Sequence, residues 1–278
     1  MTERSPRRSG RLRRGERMVV MAYHLLGAPH RLFSLGTFVE MLSAAKSTIS
    51  EDLGFMRQAF DRFKLGKVET LPGAAGGVRY LPLRGKERIR PLIEELCQRL
   101  RDPTRLLPGG FLYTSDLTST PRYATELGEA LAGFFDEARP DVVLTMEVKG
   151  IPLALMTARA FDVPMVSIRR GAHVTEGPAV SVNYVSGSSR TVQSMTLPLR
   201  AVVAGAKVLF IDDFLRGGGT ARGVFDLMRE FQAVVKGIGV LIETTTPRQK
   251  MIDRYVSLIE FGGVNERGEI LVSPSRWL

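Results

Sequence analysis

Residues 208–220 read Val-Leu-Phe-Ile-Asp-Asp-Phe-Leu-Arg-Gly-Gly-Gly-Thr. An apolar run of strand type ends in two acids, and a glycine-rich loop then opens a helix. Loop glycines let backbone N–H groups approach an anion closely. The helix that follows adds free N–H groups and the positive end of its dipole. Thr220 adds a hydroxyl at the helix start, so the loop suits a phosphate. Asp212 and Asp213 cannot help hold that phosphate, but they can accept hydrogen bonds from sugar hydroxyls. Phosphate beside a vicinal diol describes a ribose 5-phosphate. A bare glycine run would be read as a strand-to-helix turn; the two acids argue for a ligand.

These residues resemble the signature loop of type I phosphoribosyltransferases. The resemblance implies a ligand-binding stretch of Asp212, Asp213, Phe214, Leu215, Arg216, Gly217, Gly218, Gly219 and Thr220. The acids would meet the ribose 2′- and 3′-hydroxyls, and Arg216 through Thr220 the 5-phosphate. Residues 145–152, Thr-Met-Glu-Val-Lys-Gly-Ile-Pro, resemble the pyrophosphate loop of the family's adenine and xanthine branch. That implies pyrophosphate contacts at Glu147, Val148, Lys149 and Gly150. Arg169 and Arg170 fall where the family sets a basic residue against pyrophosphate. An Arg-Arg pair alone reads as a solvated strand end; its place after an apolar run favours the ligand. Residues 180–198 take the place of the family's flexible loop, which closes over the site. Residues 261–277 are expected to form a hood on the base side. The resemblance spans roughly residues 110–278.

The elements that must position these loops follow from the apolar pattern. Residues 142–145, 165–168, 207–211 and 236–243 read as buried strands, and residues 121–138, 151–161 and 220–232 as helices. Such alternation indicates a parallel α/β sheet with flanking helices, and open sheets of that class bind ligands at strand ends. Residues 84–101 read as a connecting helix, followed by a break to residue 110.

The N-terminal third differs in charge. Residues 1–90 hold 18 Lys+Arg against 8 Asp+Glu, whereas residues 91–278 hold 21 of each. The whole excess of +10 therefore lies in one segment, which suggests a polyanion-binding head. Residues 1–14 read as a disordered basic arm, and the arginines from Arg4 through Arg17 as mobile charge for phosphates or a minor groove. Two short helices follow, the second capped by Ser34. A turn at residues 43–45 leads to a third helix with Ile49, Leu53, Met56 and Phe60 on its apolar face. Strands at 67–71 and 78–81 form a hairpin. This order resembles a winged helix-turn-helix. A recognition helix reads the major groove with its N-terminal residues, which points to Lys46, Ser47, Thr48 and Ser50, with Arg57 further along and Lys67 and Arg79 on the wing strands. Ser47 and Thr48 serve equally as helix caps.

The expected domains are the arm 1–14, a winged helix 15–83, a connection 84–110 and a transferase-like effector domain 111–278. Joined in this way they resemble the purine operon repressors of Gram-positive bacteria. That resemblance implies a transcriptional repressor without transferase activity. Phosphoribosyl pyrophosphate, with Mg²⁺, would be the inducer, and purine nucleotides or guanosine tetraphosphate would compete for its site. Duplex operator DNA and a second copy of the chain are the implied partners. Arg216-Gly217 replaces the Ala-Thr that many of the enzymes carry before Gly-Gly-Thr, which removes a hydroxyl and adds a bulky cation. The alternatives are an active purine phosphoribosyltransferase with an accessory nucleic-acid-binding domain, and an RNA-binding regulator. Cys97 is the only cysteine, and His24, His30 and His173 are scattered, so neither a disulfide framework nor a metal-ligand spacing is expected. No apolar run reaches membrane-spanning length and no signal peptide is recognised, so a cytoplasmic location is expected.

Overall fold

The computed structural model describes residues 12–73, 75–82, 86–171, 177–186 and 191–278. The arm up to residue 11, His173 and the tip of the 180–198 hairpin lie outside them. The chain divides after Pro82 into two compact units.

The first unit has helices α1 (Arg14–Gly27), α2 (Leu35–Leu42) and α3 (Lys46–Arg62), then strands β1 (Lys67–Leu71) and β2 (Gly77–Leu81). Its core joins Met21 and Leu25 of α1, Phe38 and Leu42 of α2, and Ile49, Leu53, Met56 and Phe60 of α3 to Val68, Val78 and Tyr80 of the hairpin. The period of three and four on α3 thus faces the core. Ser34 caps α2 by accepting from the Thr37 amide at 3.1 Å. Strands β1 and β2 pair antiparallel, Lys67 against Leu81. Phe33 adds a bridge to Val78, which the sequence did not signal because a single bridging residue has no period.

The mobile-charge expectation fails for its last members. Leu12 packs against the core, and α1 begins at Arg14. Arg17 is buried, its Nε 2.6 Å from Asp52 Oδ2, and it donates through Nη1 to the Leu12 carbonyl. Arg14 pairs with Glu51 at 2.7 Å. A guanidinium tied to a carboxylate on α3 braces two helices and is not available to follow a phosphate backbone.

The second unit comprises α4 (Lys86–Leu100), β3 (Leu106–Leu107), β4 (Phe111–Leu112), α5 (Ser115–Thr118), α6 (Pro121–Phe134), β5 (Val142–Met146), α7 (Ile151–Phe161), β6 (Met165–Ile168), β7 (Ala179–Val185), β8 (Val192–Pro198), β9 (Lys207–Leu215), α8 (Gly219–Glu230), β10 (Val234–Thr244), β11 (Val256–Val264) and β12 (Ile270–Pro274). Six strands form one sheet in the order β12-β11-β10-β9-β5-β6. All neighbours are parallel except β11 and β12. One face is covered by α4, α6 and α7, whose Ile93, Leu96, Leu127, Leu131, Leu153 and Ala158 pack on Val143, Leu209, Ile211 and Leu258. The other carries α8 and the β7–β8 hairpin, with Val224, Leu227, Met195 and Leu197 over Leu144, Val208 and Phe210.

Three expectations change here. Helix α4, read as a connection, buries Ile89, Ile93, Leu96 and Leu100 in the core of this unit. Much of the expected hood is sheet: residues 261–264 and 270–274 belong to β11 and β12, because Ile259, Phe261, Ile270 and Val272 bury against the same core. Strand β9 runs to Leu215, past the expected end at residue 211, so both acids are strand residues. Asp212 pairs with Val240 and Phe214 with Ile242 in the register with β10.

Candidate functional site

A cavity of about 460 Å³ opens at the carboxyl ends of β5 and β9, where open α/β sheets place ligands. Asp212 through Thr220 line it, together with Glu147, Val148, Lys149 and Arg170. Phe111, Leu112, Met146, Phe210, Ala221 and Val240 complete the wall. Of the expected ligand residues, Gly150 and Arg169 do not line it.

Arg170 and Lys149 are charges that act on the acids at the end of β9. Asp212 is 9% exposed, and its Oδ1 accepts from the Asp213 amide at 2.9 Å. Burial pushes the Asp212 carboxyl well above the usual carboxylate range; the charge of Asp213 pushes the same way, and Arg170 opposes it. Burial also raises Asp213, against the pull of Lys149. Desolvation without a matched partner is a common signature of a binding site.

Gly218 caps α8 with φ at 84°, a left-handed conformation that favours glycine. A Cβ there would also lie 3.2 Å from the Met251 amide nitrogen. Arg216 stacks its guanidinium over the Phe111 ring at 5.6 Å. The Arg216 side chain is therefore engaged at the rim of the site. Leu215 is buried and Phe214 packs edge-on to Phe261, so these two shape the wall.

In the loop after β5, Val148 and Lys149 are exposed. Glu147 Oε1 accepts from the Arg170 amide at 3.0 Å, so this carboxylate clasps two loops together. Gly150 is required for packing: a Cβ would fall 2.3 Å from Thr145 Oγ1 and 2.6 Å from Asp212 Oδ1. The two arginines separate, because consecutive residues at a strand end point in different directions. Arg170 reaches the cavity. Arg169 exchanges backbone bonds with Thr196, its amide donating at 3.0 Å and its carbonyl accepting at 2.8 Å. The stem of the β7–β8 hairpin packs on α8, where a Cβ on Gly223 would meet Met195 and Tyr184 at 2.6 and 2.8 Å. Among the described residues, none of that hairpin lines the cavity.

Sequence reasoning missed Phe111, Leu112 and Lys250. Phe111 and Leu112 come from a two-residue strand, too short for a period to register. Lys250 Nζ donates to the Arg216 carbonyl at 2.6 Å, across 34 positions of chain, and no motif marks it.

In the first unit, Lys46 opens α3. Lys46, Ser47 and Ser50 are exposed, and Thr48 is half-buried. Neither Ser47 nor Thr48 is the cap, since Ala45 holds that position. Arg57 donates to Thr70 Oγ1 at 2.6 Å, which ties α3 to β1. Arg79 donates through two nitrogens to Glu69 Oε2, at 2.9 and 2.6 Å, and Lys67 donates to Glu69 Oε1 at 3.0 Å. The bonds from Arg79 and Lys67 hold the Glu69 carboxyl below its usual range.

Among the described residues no helix is long and apolar enough to cross a membrane. Residues 13–82 match the family described as the N-terminal domain of the bacterial purine repressor. Residues 114–265 match the phosphoribosyl transferase domain. The chain is 42% identical to the purine biosynthesis transcriptional repressor PurR of Bacillus subtilis, over 92% of this chain and 90% of that one. It is 39% identical to the purine biosynthesis transcriptional activator PurR of Lactococcus lactis, over 90% and 92% of the two chains. Adenine phosphoribosyltransferase of Thermoanaerobacter pseudethanolicus shares the fold of the second unit: TM-score 0.53 and 22% identity, with 61% of this chain and 99% of that one covered.

Proposed function

The chain belongs to the family of purine biosynthesis transcriptional regulators, and from that premise we propose that it represses purine biosynthesis genes and senses phosphoribosyl pyrophosphate as the inducer that relieves repression. The observation that carries this reading is the cavity, which sets the buried Asp212 and the half-buried Asp213 beside a glycine-rich helix start. Such a site matches a ribose phosphate, and the exposed head of α3 gives the same chain a surface for duplex DNA. A homodimer would present two such heads to a two-fold operator, in the cytoplasm where the genes are.

In this reading Asp212 and Asp213 accept from the ribose hydroxyls, and the amides of residues 217–220 take the 5-phosphate. Lys149, Arg170 and the backbone of 147–150 face the pyrophosphate. Mg²⁺ would arrive with the ligand's phosphates, since this ion keeps several waters and needs few protein carboxylates. Asp212 and Asp213 suit a ligand that brings a cation, because its charge would offset the desolvation that raises their proton affinity. Binding adds charge and order at the sheet edge and disfavours the DNA-bound state, and by linkage DNA weakens the ligand to the same extent. Purine nucleotides and guanosine tetraphosphate compete for the same phosphate loop.

A second reading, an active purine phosphoribosyltransferase, is favoured by the match of residues 114–265 to the transferase domain. Calorimetric titration with phosphoribosyl pyrophosphate and Mg²⁺, beside an assay for nucleotide formation from each purine base, separates the two. Saturable binding without turnover is the expected result. Turnover at an ordinary enzymic rate overturns the sensor reading, and absence of binding overturns both.

A further inference from the structure

A phosphate loop can aim its amides at a ligand only if its carbonyls point elsewhere. In a trans peptide the C=O of one residue and the N–H of the next are antiparallel. The Arg216 carbonyl therefore sets the Gly217 N–H, and the Gly217 carbonyl sets the Gly218 N–H. Both carbonyls are held from outside the loop by the segment that follows β10. Lys250 Nζ donates to the Arg216 carbonyl at 2.6 Å, and the Met251 amide donates to the Gly217 carbonyl at 2.9 Å.

The ammonium is well matched to this task. It has three protons and no acceptor. The other two go to the Thr244 carbonyl at 2.6 Å and to Thr244 Oγ1 at 3.2 Å. The Thr244 hydroxyl lies 3.2 Å from the Arg216 carbonyl and 2.7 Å from the Thr246 carbonyl. A hydroxyl has one proton, and the shorter bond takes it, which leaves Lys250 as the donor that fixes Arg216. Partial burial lowers the Lys250 pKa, opposed by the charge of Glu243.

We propose that Lys250 is a positioning residue for the phosphate loop: it holds the Arg216 carbonyl outward and so keeps the loop amides aimed into the cavity. The inference rests on the reading of residues 216–220 as the 5-phosphate site. It predicts that Lys250 matters to one half of the ligand only, because the loop at 147–150 and Arg170 have no bond to it.

The test uses the full chain, Mg²⁺ in every arm, and two probes measured by calorimetric titration: ribose 5-phosphate and pyrophosphate. Lys250→Met weakens ribose 5-phosphate by about tenfold, the scale of one lost charge-assisted hydrogen bond, and leaves pyrophosphate unchanged. Thr244→Val, which removes one acceptor of the ammonium, gives the same selective loss at about threefold. It decides the matter if Lys250→Met does not fold. Equal weakening of both probes, or none, overturns the proposal. If the unaltered chain binds pyrophosphate but not ribose 5-phosphate, the assignment of the 5-phosphate site falls and this inference falls with it.

Discussion

At the end of β9, Asp212 is buried and Asp213 half-buried, and both carboxyls are pushed upward because Arg170 and Lys149 do not offset the loss of water. On the wing of the first unit, Glu69 takes bonds from both Arg79 and Lys67 and is held low. The second unit thus keeps an electrostatic deficit at one point, while the more basic first unit satisfies part of its charge internally. Net charge by segment is accordingly a coarse guide to function. What counts is which charges the fold leaves without a matched partner, and in what dielectric.

The largest effect expected from this contrast comes from the acids. The double substitution Asp212→Asn, Asp213→Asn should weaken phosphoribosyl pyrophosphate by about a hundredfold or more, since each ionised acceptor contributes about 1.5–3 kcal/mol to its hydrogen bonds. The ligand-free chain should become more stable at neutral pH, as two desolvated charges are removed. Calorimetric titration and a thermal midpoint check the two halves. Loss of binding together with loss of stability would mean that the acids hold the fold.

Next in size is Gly150→Ala. Its Cβ would fall 2.6 Å from Asp212 Oδ1 and 2.3 Å from Thr145 Oγ1, an overpacking that costs about 1–3 kcal/mol. A denaturant midpoint measures it, and an unchanged midpoint would show that the loop after β5 yields freely.

The dependence on pH is smaller and has a definite sign. The folded-state pKa values of Asp212 and Asp213 are raised, so their contribution to stability is full below the ordinary carboxylate range. It is lost as pH rises through the raised folded values. The midpoint of the ligand-free chain should fall across that window while ligand affinity rises, because ionised carboxylates are the better acceptors. The double Asn variant should flatten both curves.

The smallest effect lies in the first unit. Lys46→Ala should reduce the salt slope of DNA binding by about one, whereas Arg79→Ala, with its charge already committed to Glu69, should leave the slope nearly unchanged. A larger change for Arg79 would break the contrast drawn here.

Much of this was legible in the sequence where a local pattern had a local cause. The apolar runs at β5, β6 and β9, the period on α3 and the glycine-rich start of α8 each report their own backbone. The rest depended on contacts distant in sequence. Arg17 looks like part of a basic run until Asp52 is placed beside it. Arg169 and Arg170 are adjacent in sequence, yet only Arg170 reaches the cavity. The strands within residues 261–277 had no local signal either, because the apolar side of α4 supplies the core that they extend over. Lys250 has no local signal at all.

The central claim is that the two units are coupled through the ligand. Its most direct test is operator affinity, measured by fluorescence anisotropy on labelled duplex DNA at fixed salt, with and without saturating phosphoribosyl pyrophosphate and Mg²⁺. The account predicts weakening by about tenfold or more, abolished in the Asp212→Asn, Asp213→Asn variant. Equal affinity in the two conditions, with ligand binding verified in the same sample, would contradict it.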